Sequence, residues 1–193
     1  MIAAIVLAAG LSSRTKKFNK LLLNYKKKIL IKHTIHNILE SNIDYLIFVI
    51  GNNKNLIKKN IPNKKNIKIV YNANYKAGMA SSIKTGLKYL PKETTHFFIS
   101  LADMPEVKKK HYNKMIAYIK KNKNLPIVPY VNLQQANPVL FPMNFIKKLK
   151  LLKGDKGAKV ILKKSKKLRV SFKEQALLKD LDLLNDFQIH NPR

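Results

Sequence analysis

The chain has 193 residues, 46% of them hydrophobic, and a formal net charge of +29. This length fits a single domain, residues 1–193, built around one core, and the apolar content excludes an intrinsically disordered protein. Cysteine is absent, which excludes disulfides, thiolate catalysis and cysteine-ligated zinc and is compatible with the cytoplasm.

The sequence also argues against a membrane or secreted protein. No apolar run approaches the roughly 20 residues that a membrane-spanning helix needs. The first apolar run has no basic stretch before it and is followed by Ser12 and Ser13, so we interpret it as a strand rather than a signal peptide. We therefore expect a cytoplasmic protein.

The positive charge raises nucleic-acid binding as an alternative function. The lysines, however, are spread along the whole chain, and arginine, which binds bases and phosphates better, occurs only at positions 14, 169 and 193. Lys, Asn and Ile are all abundant, which is the amino-acid composition that an AT-rich genome produces. We therefore disfavour nucleic acid as the main partner and expect the charge to attract anionic substrates.

Apolar, β-rich runs alternate with segments of helical period, which predicts an α/β fold with a mainly parallel sheet. The predicted strands are residues 2–8, 45–50, 67–71, 95–101, 125–130, 138–141 and 168–172. Residues 138–141 are the candidate for an antiparallel strand. The predicted helices are residues 31–39, a short basic segment after residue 53, and residues 83–90, 112–119, 145–152 and 158–163.

The first predicted strand ends in small residues and is followed by cations. Small residues let backbone N–H groups approach an anion, and fixed cations neutralise phosphate oxygens. We therefore predict that this segment grips a nucleoside triphosphate, with Arg14 and Lys20 as catalytic cations. The predicted nucleotide-binding residues here are Leu7, Ala8, Ala9, Gly10, Ser12, Arg14 and Lys20.

Asp103 is one of only ten acidic residues and follows a strongly apolar predicted strand. In open parallel sheets, ligands bind beyond the carboxyl ends of the strands. A carboxylate in that position is a natural Mg²⁺ ligand in a protein that holds a polyphosphate. The alternative is that Asp103 caps the turn or the helix after Pro105.

Asp182 is the second predicted metal ligand. Asp180 and Asp182 alternate with an apolar residue, which puts both carboxylates on one face of an extended segment. Mg²⁺ on phosphates usually takes one or two carboxylates, so a second aspartate fits the chemistry. A solvated acidic patch is an equally good interpretation.

Gly78, Ser81 and Ser82 are the remaining predicted nucleotide-binding residues. Gly78 permits a tight turn before the third predicted helix. One serine is expected to be the N-cap of that helix, and the other to face a base or a phosphate. His33 and His36 lie three residues apart on a predicted helix without an acidic partner, so we expect no metal site there.

Several segments together resemble a known family. The segments are residues 7–14 with 19–22, residues 78–83, residues 101–105, and residues 137–142 with 154–158. In this order they are similar to the motifs of the molybdenum cofactor cytidylyltransferase-like, or MobA-like, NTP transferases. Each motif is modest, but the ordered set is specific and spans nearly the whole chain.

The resemblance implies a three-layer, Rossmann-like α/β fold of the nucleotide-diphospho-sugar transferase type. It implies transfer of CMP from CTP to the terminal phosphate of molybdopterin, with Mg²⁺ held by Asp103 and Asp182. Ala8 and Ala9 are similar to the cytidylyl-transferring branch, because guanylyl-transferring relatives tend to have two glycines there. A molybdoenzyme or an insertion chaperone is left open as a protein partner.

The chain departs from the family pattern in two places. In the phosphate-binding segment after the first predicted strand, Thr15 and Lys16 replace the Met-Gly of the family. On the acceptor side, Ala136 with Asn137 replaces Gly-His, and Met143 replaces an arginine. These changes leave alternatives open. They are guanylyl transfer, a sugar phosphate or polyol phosphate as acceptor, and a relative that binds nucleotide without turnover.

Overall fold

The computed structural model describes residues 1–10 and 19–181. Ten strands lie in this part of the chain: β1 (Ile2–Ala8), β2 (Asn24–Tyr25), β3 (Lys28–Ile29), β4 (Tyr45–Ile50), β5 (Ile67–Tyr71), β6 (His96–Leu101), β7 (Ile127–Val131), β8 (Gln134–Gln135), β9 (Val139–Pro142) and β10 (Leu168–Phe172). Eight of them form one sheet in the order β10-β7-β9-β6-β1-β4-β5, with β8 paired to β7. Strands β2 and β3 form a separate hairpin.

The sheet is mainly parallel around its centre. β1 pairs in parallel with both β4 and β6, β4 pairs in parallel with β5, and β10 pairs in parallel with β7. β9 runs antiparallel to β6 and to β7. The carboxyl ends of β1, β4, β5 and β6 therefore meet at one edge, where the fold class predicts a ligand.

Six α-helices cover the sheet in the described residues: α1 (Leu30–Leu39), α2 (Lys54–Lys59), α3 (Met79–Leu87), α4 (Lys109–Ala117), α5 (Ile146–Lys150) and α6 (Lys159–Lys163). Side chains of α1, α2 and α4 pack into one hydrophobic cluster, and side chains of α3, α5 and α6 into a second. None of the described helices has the length and apolar character that crossing a membrane requires.

Strand β1 separates these two clusters because successive side chains of a strand point to opposite faces. Ala4 and Val6 belong to the cluster on one face, and Ala3 and Ile5 to the cluster on the other. All four side chains are fully buried. A strand buried on both faces requires helices on both sides, which gives a three-layer sandwich.

Helix α3 lies unusually close to the sheet because of Gly86. A Cβ atom at this position would overlap the side chain of Ile5 and lie 3.1 Å from Cγ2 of Val49. Only a glycine lets the helix approach this closely. The close approach holds the C-terminal end of α3 against β1 and β4.

The predicted fold class is confirmed. Strands β1, β4, β5 and β10 have the predicted bounds, and β9 is the antiparallel strand. The sequence did not predict the β2–β3 hairpin, the short strand β8, or the 3₁₀ helices. The hairpin carries no Asn-Gly or Asp-Gly signal, since Lys26 and Lys27 occupy its turn with φ of 46° and 67°.

Candidate active site

A cleft of about 640 Å³ opens at the carboxyl edge of the sheet. Its walls come from the ends of β1 and β6, from residues 75–79 at the start of α3, and from two later aspartates. Five predicted nucleotide-binding residues line it: Leu7, Ala9, Gly10, Gly78 and Ser82. Ala8, which is 1% exposed, packs in the core beneath the cleft.

Lys20 and Asp103 meet at this cleft. The Lys20 Nζ lies 2.6 Å from Asp103 Oδ2, and the two side chains are 14% and 16% exposed. Lys20, predicted as a phosphate-binding cation, thus forms an ion pair with the predicted metal ligand. The pair joins the segment after β1 to the end of β6, so both predicted groups share one site.

The segment that carries Lys20 is fixed by a local cap. Residues Lys20–Leu22 form a 3₁₀ helix whose N-cap, Asn19, accepts a hydrogen bond from the backbone N–H of Leu21 at 3.1 Å. The Leu21 side chain is buried in the core. This anchoring holds the lysine backbone rigidly and leaves its side chain to reach the cleft.

Asp103 has one oxygen that the described residues do not satisfy. Its Oδ1 is buried and has no hydrogen-bond partner there, although Oδ2 pairs with Lys20. An unsatisfied buried carboxylate oxygen is costly in an empty protein but natural in a metal site. The described residues contain no group of three or more His, Cys, Asp or Glu side chains arranged to hold a metal. A hard divalent cation would therefore bind Asp103 together with phosphate and water oxygens.

Two further aspartates border the same cleft. Asp155 and Asp180 both line it, and the backbone N–H of Leu181 donates to the carbonyl of Asp103 at 3.1 Å. The structure thus places Asp180 at the site, whereas the predicted ligand Asp182 lies outside the described residues, as do Ser12 and Arg14. Acidic residues are rare in this chain, and that rarity was the signal that could have identified Asp155.

Gly78 is where the segment of residues 154–158 docks against α3. Its φ is +94°, and a Cβ there would lie 2.5–2.6 Å from backbone atoms of Gly154 and Asp155. The backbone N–H of Met79 donates to Asp155 Oδ1 at 3.1 Å, and that of Ala80 donates to the Gly154 carbonyl at 3.1 Å. The two loops therefore touch directly, which requires glycine at position 78.

The expectation that a serine caps α3 is wrong. The helix begins at Met79 with Gly78 as N-cap, so Ser81 and Ser82 lie inside its first turns. The distant carboxylate of Asp155 accepts from the N-terminal N–H of Met79 instead. Because Asp155 accepts the hydrogen bond at the start of the helix, Ser81 and Ser82 take part in other hydrogen bonds.

Those bonds converge on Asn72, which the sequence analysis did not single out. Asn72 follows β5 and is 4% exposed. Its Nδ2 donates to Ser81 Oγ at 2.8 Å and to Ser82 Oγ at 3.0 Å, and its Oδ1 accepts from the N–H of Asn74 at 3.0 Å. Ser81 Oγ in turn lies 2.9 Å from the Gly78 carbonyl. Ser81 therefore braces the loop, and Ser82 borders the cleft.

A second, smaller pocket adjoins the cleft. It measures about 260 Å³ and shares Met79 and Leu101 with the larger one. Its other lining residues include the apolar Ile99 and Val139, the amides Gln135 and Asn137, and Lys159. Apolar walls with a few amide groups suit a flat heterocycle that also forms hydrogen bonds.

Glu106 ties the Asp103 loop to the hairpin that follows Lys20. Its Oε1 accepts hydrogen bonds from Tyr25 Oη at 2.6 Å and Lys26 Nζ at 2.7 Å. Lys108 Nζ lies 3.7 Å from its other oxygen. Burial alone would raise the pKa of Glu106, but the bonds from Lys26 and Tyr25 outweigh it and lower the pKa to about 2.

Comparison with known proteins gives one family. The model of the family described as MobA-like NTP transferase domain matches residues 4–170. The molybdenum cofactor cytidylyltransferase of Escherichia coli (strain K12) is 32% identical over 104 residues. That alignment covers 54% of this chain and 52% of the relative, so it spans about half the length of each protein.

Solved structures share the fold. Rv0371c from Mycobacterium tuberculosis H37Rv superposes with a TM-score of 0.84 at 21% identity, covering 97% of this chain and 96% of that one. Its complex with manganese superposes with a TM-score of 0.80 at 20% identity over the same shares. Mth528, a nucleotidyl transferase from Methanothermobacter thermautotroptrophicus, has a TM-score of 0.82 at 17% identity, covering 98% and 96%.

The lowered pKa of Glu106 predicts acid sensitivity of the loops around the site. Its carboxylate has a pKa of about 2 when folded and an ordinary value of 4.5 otherwise, so its stabilisation is present above pH 4.5. It is lost as the pH falls from 4.5 towards 2, and we expect it to amount to about 1 to 2 kcal/mol after allowance for solvent screening. Urea unfolding at a series of pH values measures this.

Glu106→Gln should flatten that pH dependence, because it removes the titrating group while keeping its shape. Glu93→Gln is the matched control, since Glu93 is an exposed carboxylate before β6, at the opposite edge of the sheet. Identical pH profiles for Glu106→Gln and the wild type would contradict this role of Glu106.

Proposed function

Since the chain belongs to the family of MobA-like NTP transferase domains, we propose that it transfers a cytidylyl group from CTP to the terminal phosphate of molybdopterin. Pyrophosphate is the other product. The observation that carries the proposal is the contact between Lys20 and Asp103 at a cleft large enough for a nucleotide. The relative from E. coli bears the name of this activity.

The triphosphate end of the donor is assigned to the Lys20–Asp103 end of the cleft. A divalent cation would bind the unsatisfied Oδ1 of Asp103, and the manganese complex of Rv0371c supports a divalent ion in this fold. Mg²⁺ is the ion we propose, because one or two carboxylates with phosphate and water oxygens are its usual environment. Asp182, predicted from the sequence as the second ligand, keeps that role as part of the proposal.

CTP is the proposed donor. Ala9 and Gly10 follow β1 with small side chains, so the backbone at the strand end is open to a ligand. The Ala8–Ala9 pair is similar to the cytidylyl-transferring branch of the family, and the name of the E. coli relative supports the same nucleotide.

The smaller pocket is the proposed acceptor site. It joins the donor cleft along Met79 and Leu101, so an acceptor bound in it can direct a phosphate towards the donor. Gln135 and Asn137 offer amide groups to the edge of a pterin, and Ile99 and Val139 offer an apolar surface to its face. Lys159 adds a cation for an anionic acceptor.

Catalysis in this proposal is positioning and charge neutralisation. An acceptor phosphate oxygen attacks the α-phosphorus in line, and the bond to the bridging oxygen of pyrophosphate breaks without a covalent enzyme intermediate. The cation supplies neutralisation of charge on the phosphate oxygens. Lys20 exchanges its bond with Asp103 for the phosphates, and Arg14, predicted from the sequence, holds the β- and γ-phosphates with it.

We also propose that the protein is cytoplasmic. A molybdoenzyme or an insertion chaperone would receive the product. The net charge of +29 supports an acidic protein partner.

The substrate assignment is tested by measuring pyrophosphate release with CTP, GTP, UTP and ATP, each combined with molybdopterin, a sugar phosphate or a polyol phosphate. We expect the highest kcat/KM for CTP with molybdopterin in the presence of Mg²⁺. Faster turnover with GTP than with CTP would overturn the assignment of the donor. Faster turnover with a sugar phosphate or polyol phosphate than with molybdopterin would overturn the assignment of the acceptor. Binding of CTP without any turnover would show a nucleotide-binding relative instead.

Asp103→Ala should lower kcat/KM by about a hundredfold or more, because the cation loses one of its protein ligands. Asp103→Asn, which keeps the side-chain shape, should be similarly impaired. Both variants should retain the wild-type circular dichroism spectrum. Glu93→Ala is the control for the loss of one negative charge and should keep wild-type rates. Near-normal turnover of Asp103→Ala at saturating Mg²⁺ would contradict the metal-binding role.

A further inference from the structure

Helix α1 carries two buried polar side chains among otherwise apolar ones. Thr34 and Asn37 are 1% and 8% exposed. The other buried residues of the helix are Leu30, Ile31, Ile35 and Ile38. Threonine and asparagine are poorer helix formers than leucine, and a buried polar group is costly unless it is hydrogen-bonded. The two residues therefore do not stabilise α1 as a helix, and the reason for them lies in what they bind.

Both side chains bind backbone carbonyls on either side of Asp103. Thr34 Oγ1 lies 2.9 Å from the carbonyl oxygen of Ala102, and Asn37 Nδ2 lies 2.8 Å from that of Pro105. A carbonyl oxygen can only accept, so the two side chains are the donors. Threonine inside a helix often bonds a carbonyl of its own helix, whereas the Thr34 hydroxyl bonds a different segment. Helix α1 thus holds the loop of residues 102–105 at two points.

The other two carbonyls of this loop are also bonded. The Asp103 carbonyl accepts from the backbone N–H of Leu181 at 3.1 Å, and the Met104 carbonyl accepts from that of Val107 at 3.2 Å. Every carbonyl from residue 102 to residue 105 therefore has a donor, and α1 supplies the side-chain donors at the first and the last. The backbone that carries the Asp103 carboxylate is fixed along its length.

This fixed backbone accounts for the buried oxygen of Asp103 that lacks a partner. Oδ1 has no hydrogen-bond partner among the described residues, while Oδ2 pairs with Lys20. In a loop that was free to move, the carboxylate would shift to bring such an oxygen to a donor, because an unmade buried hydrogen bond is costly. The bonds from α1 oppose that shift and keep Oδ1 available. Groups behind a metal ligand commonly orient it in this way.

We propose that Thr34 and Asn37 are positioning residues for the cation ligand Asp103. Neither side chain lines the cleft, so both act through the loop and not on the substrate. Mg²⁺ demands near-ideal octahedral geometry, and a small displacement of the carboxylate therefore weakens its bond to the ion. The inference rests on the proposed function, in which Asp103 binds the cation that accompanies CTP.

Thr34→Val tests the proposal, because valine has nearly the shape of threonine but cannot donate to the Ala102 carbonyl. Calorimetric titration gives the dissociation constant of CTP with EDTA and with Mg²⁺, without any acceptor. The first constant divided by the second, here called the metal quotient, measures how much the cation strengthens binding. We expect Thr34→Val to lower the metal quotient by about tenfold. A merely structural role would change both constants alike, so an unchanged metal quotient would overturn the inference.

Two variants serve as controls. Thr34→Ser keeps the hydroxyl donor, so its metal quotient should equal that of the wild type. Ser41→Ala removes another buried hydroxyl, which lies just after α1 and donates to the Ile38 carbonyl at 2.6 Å. It should lower the Tm but leave the metal quotient unchanged. A fall in Ser41→Ala as large as that in Thr34→Val would show general loosening of the helix and overturn the inference.

A double variant tests whether the effect passes through Asp103. The metal quotient of Asp103→Asn/Thr34→Val should equal that of Asp103→Asn alone, since the misplaced ligand is already lost. A further fall in the double variant would contradict the proposed route.

Asn37→Ala gives the same test at the other end of the loop and applies even where Thr34→Val fails to fold. Its effect on the metal quotient should have the same direction but be smaller, because Lys108 Nζ also lies 3.4 Å from the Pro105 carbonyl. An unchanged quotient there would overturn the role of Asn37. Failure of the wild type to bind CTP, or equal binding with EDTA and with Mg²⁺, would refute the proposed function itself, which distinguishes the two failures.

Discussion

The ion pair between Lys20 and Asp103 is the interaction on which the site depends. Its two members come from different segments, one after β1 and one at the end of β6, and both are largely buried. Each charge alone at this burial would cost several kcal/mol, and the ion pair offsets much of that cost. In the proposed reaction a cation would replace Lys20 at Asp103, and a polyphosphate would replace Asp103 at Lys20, so each charge would keep an opposite partner.

The fold supplies the rigid surroundings that this exchange needs. β1 is buried on both faces between two helical layers, so close packing holds the strand beneath the cleft. Glu106 holds the Asp103 loop to the β2–β3 hairpin, and the contact of Gly78 with Gly154 holds α3 to the segment of residues 154–158. The small residues Ala9 and Gly10 thus leave space at the cleft, and Lys20 and Asp103 place charge at its end.

The features that depend on a local sequence pattern could be predicted. The apolar run of β1 ends where its small residues begin, and Asp103 follows the apolar strand β6, so the sheet and the position of Asp103 at its carboxyl edge could be predicted. Contacts between distant residues could not. Asp155 caps α3 from 76 positions away, and Asn72 binds the serines that were expected to cap the helix. The lysine pair in the β2–β3 turn adopts positive φ without the usual turn residues, so the hairpin gave no signal.

The central claim is that a divalent cation and the triphosphate separate Lys20 from Asp103. Crystals grown with Mn²⁺ and a non-hydrolysable CTP analogue, measured at the manganese absorption edge, test this directly. The account predicts an anomalous peak about 2.1 Å from Asp103 Oδ1, with the Lys20 amine moved onto phosphate oxygens. A manganese site away from Asp103, with the Lys20–Asp103 ion pair intact beside bound nucleotide, would contradict it.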